Sequence, residues 1–169
     1  MNGSLLADAF GHHVWATLRL IDACSGLTAE QLDTPVPGTY GSIIETMRHT
    51  VGADRSYLAL LSEGGISEID EASMDLAALR AAMAETGPVW SALLERDLDP
   101  SAMVVRHRDD GSTSGAPLGV RLAQVIHHGT DHRSQVCTAL TNLGIEPPEI
   151  DVWAYAWDDG RLTETEPTS

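Results

Sequence analysis

The stretch from residue 117 to 142 repeats apolar or small residues at steps of three and four, and this period constrains the fold most strongly. Residues at such steps lie along one stripe of an α-helix, and an apolar stripe faces a packed interior. The stripe consists of Leu118, Leu122, Val125, Gly129, His132, Val136 and Leu140. Pro117 suits a first helical turn, and Gly144 follows the last one. The pattern therefore predicts a long helix over 117–142.

Three earlier segments show the same helical period. They run over about 4–25, 42–62 and 74–96. Ser42 with Glu45 three residues later is a capping-box pattern at the start of the second segment. Gly87 and Pro88 interrupt the third segment. Because proline removes a backbone donor and crowds the preceding turn, we expect a kink or a break near Thr86.

A short hairpin is predicted between the third and fourth helices. Residues 103–115 read MVVRHRDDGSTSG, which places an Asp-Gly pair between two short runs suited to strands. Asp-Gly is a strong signal for a tight turn between antiparallel strands. We therefore predict an all-α fold with four long helices, interrupted only by this hairpin.

The C-terminal segment differs from the helical region in composition. It contains Trp153, Tyr155 and Trp157, and most of its charged residues are acidic. We expect the aromatic part to pack across the helices and the acidic residues after Arg161 to fray. The predicted organisation is one domain over 1–160 with an extended tail over 161–169.

The charge balance excludes several classes of function. The chain has 25 acidic and 10 basic residues, a net charge of −15, and every basic residue is arginine. Without lysine there is no Schiff-base chemistry and no P-loop lysine. An acidic chain also opposes binding to nucleic acid, because phosphate backbones attract basic surfaces.

We find neither a secretory signal pattern nor an apolar run long enough to cross a membrane. The sequence thus predicts a cytoplasmic protein with no membrane partner. Cys24 and Cys137 are far apart in the chain and do not form a C-x-x-C pair. In a reducing compartment we expect both to be buried thiols.

Three of the seven histidines suggest a metal site. His128 and His132 are four residues apart, so a helix places them on one face, close enough for both imidazoles to hold one ion. His49 lies on the predicted second helix, on a face of small residues, and could supply a third ligand. Three protein ligands with an open position are typical of a catalytic metal ion. The alternative is that these histidines are hydrogen-bonded core or surface residues.

The pair does not form the zinc-protease motif. H-E-x-x-H requires a glutamate after the first histidine, whereas this chain has Gly129, and Asp131 points off the ligand face. A protease of that type is therefore excluded. Arg133 and Gln135 are candidates to hold an imidazole or contact an anionic ligand, with a surface arginine and a core-edge glutamine as the alternatives.

The remaining histidines rank lower as functional residues. His13 borders the apolar stripe of the first helix and could face a cleft, although a packed or solvated side chain is the simpler interpretation. His12 lies beside it. His127 is expected to be exposed, and His107 falls in the hairpin.

Several of these motifs together resemble one known family. The stretches PGTYGSIIETMRHTVGADRSYLALL, HGTDHRSQ and DVWAYAWDDGR resemble the DinB/YfiT-like family over nearly the whole chain. The resemblance implies a four-helix bundle in which His49, His128 and His132 bind a divalent ion, commonly zinc or nickel. It also places Arg133 and Gln135 around these ligands and implies that a homodimer can form. Ser134 departs from the glycine found in many members.

The resemblance implies more than one activity. Characterised relatives include S-transferases and isomerases that depend on small bacterial thiols such as mycothiol or bacillithiol, which suggests a thiol co-substrate and a small-molecule substrate. A hydrolase of amides or esters is the alternative, but the sequence shows no well-placed acidic residue near the histidines to act as a general base. A third alternative is a non-enzymatic, metal-binding protein of the stress response.

Overall fold

The structure of the protein is a computed structural model that describes residues 5–165. Within this part of the chain, six α-helices and two strands follow one another, and a short 3-10 helix over Glu71–Ser73 lies between the third and fourth α-helices. The α-helices and strands are α1 (Leu5–Cys24), α2 (Ala29–Asp33), α3 (Ile43–Leu61), α4 (Leu76–Leu94), β1 (Met103–His107), β2 (Thr113–Pro117), α5 (Leu118–Asn142) and α6 (Val152–Asp158). The four long helices, α1, α3, α4 and α5, lie where the helical period predicts them, and the fold is mostly helical as expected. The predicted start of the first helix at residue 4 lies outside the described residues.

The long helices enclose the core. Helix α1 contacts α4 and α5, and α3 contacts the same two helices. Large apolar side chains from all four meet inside this ring of contacts, among them Phe10 and Trp90, whose rings lie 4.4 Å apart. The stripe along α5 faces this interior, since Leu122, Val125 and Leu140 are buried.

The start of α3 has the predicted capping box. The Ser42 backbone N–H donates to Glu45 Oε2 at 2.8 Å, and the Glu45 backbone N–H donates to the Ser42 hydroxyl oxygen at 3.4 Å. Two N–H groups that the first helical turn would leave unpaired are thus satisfied. The cap fixes where α3 begins, and with it the position of His49 about two turns later.

Helix α4 runs through Pro88 without interruption, so of the predicted kink or break near Thr86 the break is wrong, and the kink stays a prediction. Met83 before the proline and Trp90 after it are both buried in the core. The hydroxyl of Thr86 also donates to the Met83 carbonyl oxygen at 2.8 Å. Packing on both sides of the proline therefore outweighs its local preference, because tertiary contacts override helix propensity.

The hairpin forms as predicted. Strands β1 and β2 pair antiparallel with Met103 opposite Pro117, and Gly111 adopts a φ of +80° in the turn. Pro117 therefore ends β2, and α5 begins one residue later. Arg121 on α5 donates to the carbonyl oxygens of Val104 and Ser114, at 2.9 and 3.0 Å, and attaches the hairpin to this helix.

The C-terminal aromatic segment packs against the helices only in part. It forms α6, a short helix that contacts α1, with the Tyr155 ring 5.6 Å from the Trp15 ring. Trp153 and Trp157 remain 69% and 57% exposed, so these two rings do not share in the packing across the helices that the sequence predicts. Arg161 bonds to Asp8 at 2.6 Å, and residues 166–169 of the predicted tail lie outside the described residues.

Two further expectations concern membranes and thiols. Among residues 5–165, none of the helices combines the length and the apolar character that a membrane span requires. Both cysteines are free thiols. Cys24 is buried as predicted, and burial raises its pKa to about 12, whereas Cys137 is only half-buried.

Candidate metal centre

The three histidines singled out in the sequence meet in the structure. His49 Nε2 and His132 Nε2 each lie 3.1 Å from His128 Nε2. One ligand atom from each residue lies within 4.8 Å of the other two. His132 is buried and the other two are half-buried. Helix α5 thus supplies two imidazoles, and α3 brings the third against them.

These distances suit a single divalent ion. Zinc binds an imidazole nitrogen at roughly 2.0–2.1 Å, so two nitrogens on one ion lie about 2.9–3.4 Å apart at octahedral to tetrahedral angles. The two separations of 3.1 Å fall in that range. Three neutral nitrogen donors are also a set that zinc, nickel and related ions accept. The residues present therefore fit the ion that the sequence predicts.

Gln135 determines which nitrogen of His132 is available. Its Oε1 accepts the backbone N–H of Tyr40 at 2.9 Å and lies 3.1 Å from His132 Nδ1. Its Nε2 donates to Asp131 at 3.1 Å, which fixes the orientation of the amide. Since an amide oxygen only accepts, Nδ1 of His132 carries the proton, and Nε2 presents its lone pair to the other histidines. Gln135 thus contacts a candidate ligand, His132.

The surroundings of His49 and His128 lower the pKa of both imidazoles. Burial and then the neighbouring His132 and His49 lower the pKa of His128 to about 4. Burial, followed by the charge of His132, also lowers the pKa of His49, while the Glu71 carboxylate acts in the opposite direction. A neutral imidazole has the lone pair that a metal ligand needs. At pH 7 these two side chains are therefore in the ligand form.

Tyr40 belongs to this site, although the sequence analysis did not identify it. Its ring stacks on His49, with 4.2 Å between centroids and 7° between planes, and meets His132 edge-on at 5.3 Å. The loop before α3 supplies this residue. Its position in the Pro/Gly-rich stretch PGTYGS, just ahead of a histidine-bearing helix, is the only signal that could have indicated it.

Arg133 does not touch the three histidines. It turns inward and donates to Nδ1 of His13 at 3.0 Å and to the Thr17 hydroxyl at 3.2 Å. His13 Nε2 in turn lies 2.8 Å from Asp54 Oδ1, and Trp90 Nε1 donates to the other carboxylate oxygen at 3.2 Å. Arg133 therefore holds an imidazole, but a different one from those expected. His13 has a packed position in this network, not a place in the cleft.

The same network explains why residue 129 has no side chain. A Cβ at this position would overlap the His13 ring and lie 2.9 Å from Arg133 Nη1. The His13 ring therefore occupies the space that a glutamate side chain, which the zinc-protease motif requires at this position, would need. His127, one step before the pair, is exposed as predicted. His12 lies apart from the site, with Nε2 2.8 Å from the Ile150 carbonyl oxygen.

A cleft of about 330 Å³ opens beside His49. Glu71 lines it, and the carboxylate of Glu71 lies against Gly52, where any Cβ would overlap it. The chain segment between α3 and α4 carries Glu71. Arg48 and Arg55 of α3 hold this segment in place by donating to the carbonyl oxygens of Met74 and Ser67. The Glu71 carboxylate interacts electrostatically with His49 and acts to raise the pKa of that imidazole, and among residues 5–165 it forms no side-chain hydrogen bond or ion pair. An acidic residue therefore does share the cleft with a candidate ligand, which the sequence did not indicate.

Comparison with known proteins agrees with the resemblance noted in the sequence. The model of the DinB family matches residues 1–166. A search of curated proteins found no match. The match and the cluster of three histidines together fit a metal-binding enzyme. Because the family model covers nearly the whole chain, the protein belongs to the DinB family.

Proposed function

We propose that the protein is an enzyme that depends on a divalent ion, zinc or nickel, held by His49, His128 and His132. The reaction we assign to it is an S-transfer or isomerisation with a low-molecular-weight thiol as co-substrate. The observation that carries the proposal is the convergence of three imidazole nitrogens at separations that suit one ion. The ring of contacts among the long helices supports a four-helix bundle as the scaffold, within a single domain over 1–160.

The chemistry follows from the donor set. Three neutral ligands leave the positive charge of a divalent ion uncompensated, and such an ion would lower the pKa of a thiol or water that enters the open position. Gln135 holds His132 in the correct tautomer. The cleft beside His49 has the volume of a small-molecule site, near the lower end of the usual range. This combination supports a small substrate.

The first test is a thiol-dependence assay. Protein loaded with zinc or nickel, a panel of small thiols and an electrophilic substrate should give substrate conversion that requires metal, protein and thiol, with loss of free thiol for S-transfer and no net loss for isomerisation. Protein stripped with a chelator is the matched control and should be inactive until metal is restored. Turnover that proceeds equally well without any thiol would contradict the transferase proposal.

Metal-assisted hydrolysis of an ester or amide is the second candidate, and Glu71 favours it. Its carboxylate lines the cleft of His49 and could accept a proton from the attacking water. If the protein hydrolyses esters, Glu71→Gln should lower turnover by about 10²–10⁴-fold, the usual contribution of a general base, while metal content stays unchanged.

Glu68→Gln is the control for this test. Glu68 lines the same cleft but is paired with Arg106 at 3.3 Å and accepts from Ser56 at 3.0 Å. We expect little change in turnover from this variant. Equal losses in the two variants would remove Glu71 from the reaction. Lack of both thiol-dependent conversion and hydrolysis across a broad panel would instead support a non-enzymatic metal-binding role.

A further inference from the structure

The ring of Tyr40 contacts two of the candidate ligands, His49 and His132. One face of its ring stacks on His49 with the planes only 7° apart, and its edge meets His132. The residue is nevertheless 56% exposed, so core packing does not explain its position. Its contacts are directed at the histidines.

The loop that carries Tyr40 is itself held in place. The Thr39 hydroxyl lies 2.7 Å from the carbonyl oxygens of both Val36 and Gly41, which closes the loop on itself. Val36 is buried in the core, and Gly38 adopts a φ of +86°, a left-handed conformation that favours glycine. These features hold the backbone that carries Tyr40.

The Tyr40 backbone connects the same loop to α5. Its N–H donates to Gln135 Oε1, the atom that also accepts the Nδ1 proton of His132. One residue therefore contacts His49 on α3 through its ring and supports His132 on α5 through the amide of Gln135. These two ligands come from different helices, and their relative position decides whether they can share an ion.

We propose that Tyr40 is a positioning residue of the metal centre, which holds the His49 ring at the angle needed to share an ion with His132. The inference rests on the proposed metal site. Residues that orient metal ligands without binding the ion change metal affinity by roughly 10–100-fold when removed. The stacking depends on the aromatic ring, and the backbone bond to Gln135 does not depend on the side chain. Tyr40→Ala should therefore weaken zinc binding about tenfold, and Tyr40→Phe should keep the affinity.

The test is a zinc titration in competition with a chromophoric chelator. It uses the full chain, without a histidine tag, as wild type, Tyr40→Phe and Tyr40→Ala. Tyr155→Ala is the matched control, because Tyr155 packs against Trp15 and His12 away from the three histidines. We expect affinity to fall only in Tyr40→Ala, with the visible spectrum of the cobalt-loaded protein altered in that variant alone.

The thermal midpoint of the metal-free protein shows whether Tyr40→Ala merely perturbs folding. An unchanged midpoint with weaker zinc binding supports the positioning role. If wild type binds zinc and Tyr40→Ala binds it within twofold as tightly, or if Tyr40→Phe loses as much as Tyr40→Ala, the positioning role is wrong while the metal site stands. If wild type binds no zinc, cobalt or nickel, the proposed function fails, and this inference fails with it.

Discussion

Alanine in place of His128 or His132 is expected to remove the metal from the protein. Each change deletes one of three nitrogens that lie 3.1 Å from a neighbour and leaves a two-ligand site. Loss of a direct ligand should weaken binding by more than the roughly 10–100-fold seen when only an orienting partner is removed. Elemental analysis of protein purified without a histidine tag should find about one equivalent in wild type and almost none in either variant.

His127→Ala is the matched control for both variants. His127 precedes His128 on the same helix, but its side chain is exposed and lies outside the cluster. This variant should retain its metal, which separates loss of a ligand from a general effect of alanine in α5. Stoichiometric metal in His128→Ala and His132→Ala would show that the cluster is a set of hydrogen-bonded histidines, the alternative that their spacing leaves open.

The second large effect is expected from Asp54→Ala, which should lower the free energy of unfolding by roughly 3–5 kcal/mol, the usual cost of leaving a buried charge, here that of Arg133, without compensation. Asp54 is 3% exposed and accepts from both His13 and Trp90. Burial already lowers the pKa of Arg133 to about 10, and Asp54 acts against this shift. Without the carboxylate, two donors lose their acceptor, and a buried guanidinium loses its nearest compensating charge.

Denaturant unfolding followed by circular dichroism measures this loss. Asp22→Ala is the control, since Asp22 pairs with Arg80 on the surface, where both side chains are about half exposed. Exposed pairs contribute about 0–1 kcal/mol, so this variant should unfold almost as wild type does. If Asp54→Ala is no more destabilised than Asp22→Ala, the buried network is not a determinant of stability.

The sequence located the long helices well because their signal is local. The apolar stripe of α5, the capping box at Ser42 and the Asp-Gly turn of the hairpin each depend on residues within one or two turns of each other. The break expected near Thr86 shows where local reasoning fails. Pro88 is unfavourable inside an isolated helix, but the packing of Met83 and Trp90 is a long-range effect that residue patterns do not reveal.

In the candidate site, too, some features follow from local sequence and others depend on packing. His128 and His132 share a face because any α-helix places residues four apart together. That His49 joins them depends on how α3 packs against α5, which the sequence suggested only through a face of small residues and a family resemblance. The inward turn of Arg133 and the approach of Tyr40 and Glu71 depend on side-chain directions set by neighbouring elements.

The amino-acid sequence by itself determined the helical segments, the hairpin, the lack of lysine chemistry and the pairing of His128 with His132. These follow from backbone periodicity and side-chain chemistry, which act over a few residues. Only the tertiary structure decided that Tyr40 stacks on His49 and that Gln135 accepts the Nδ1 proton of His132. It also decided that Arg133 donates to the buried His13, which in turn bonds to Asp54. The reason is that helix rotation and loop position are set by packing among distant segments, and a shift of one residue would direct a different side chain to the site.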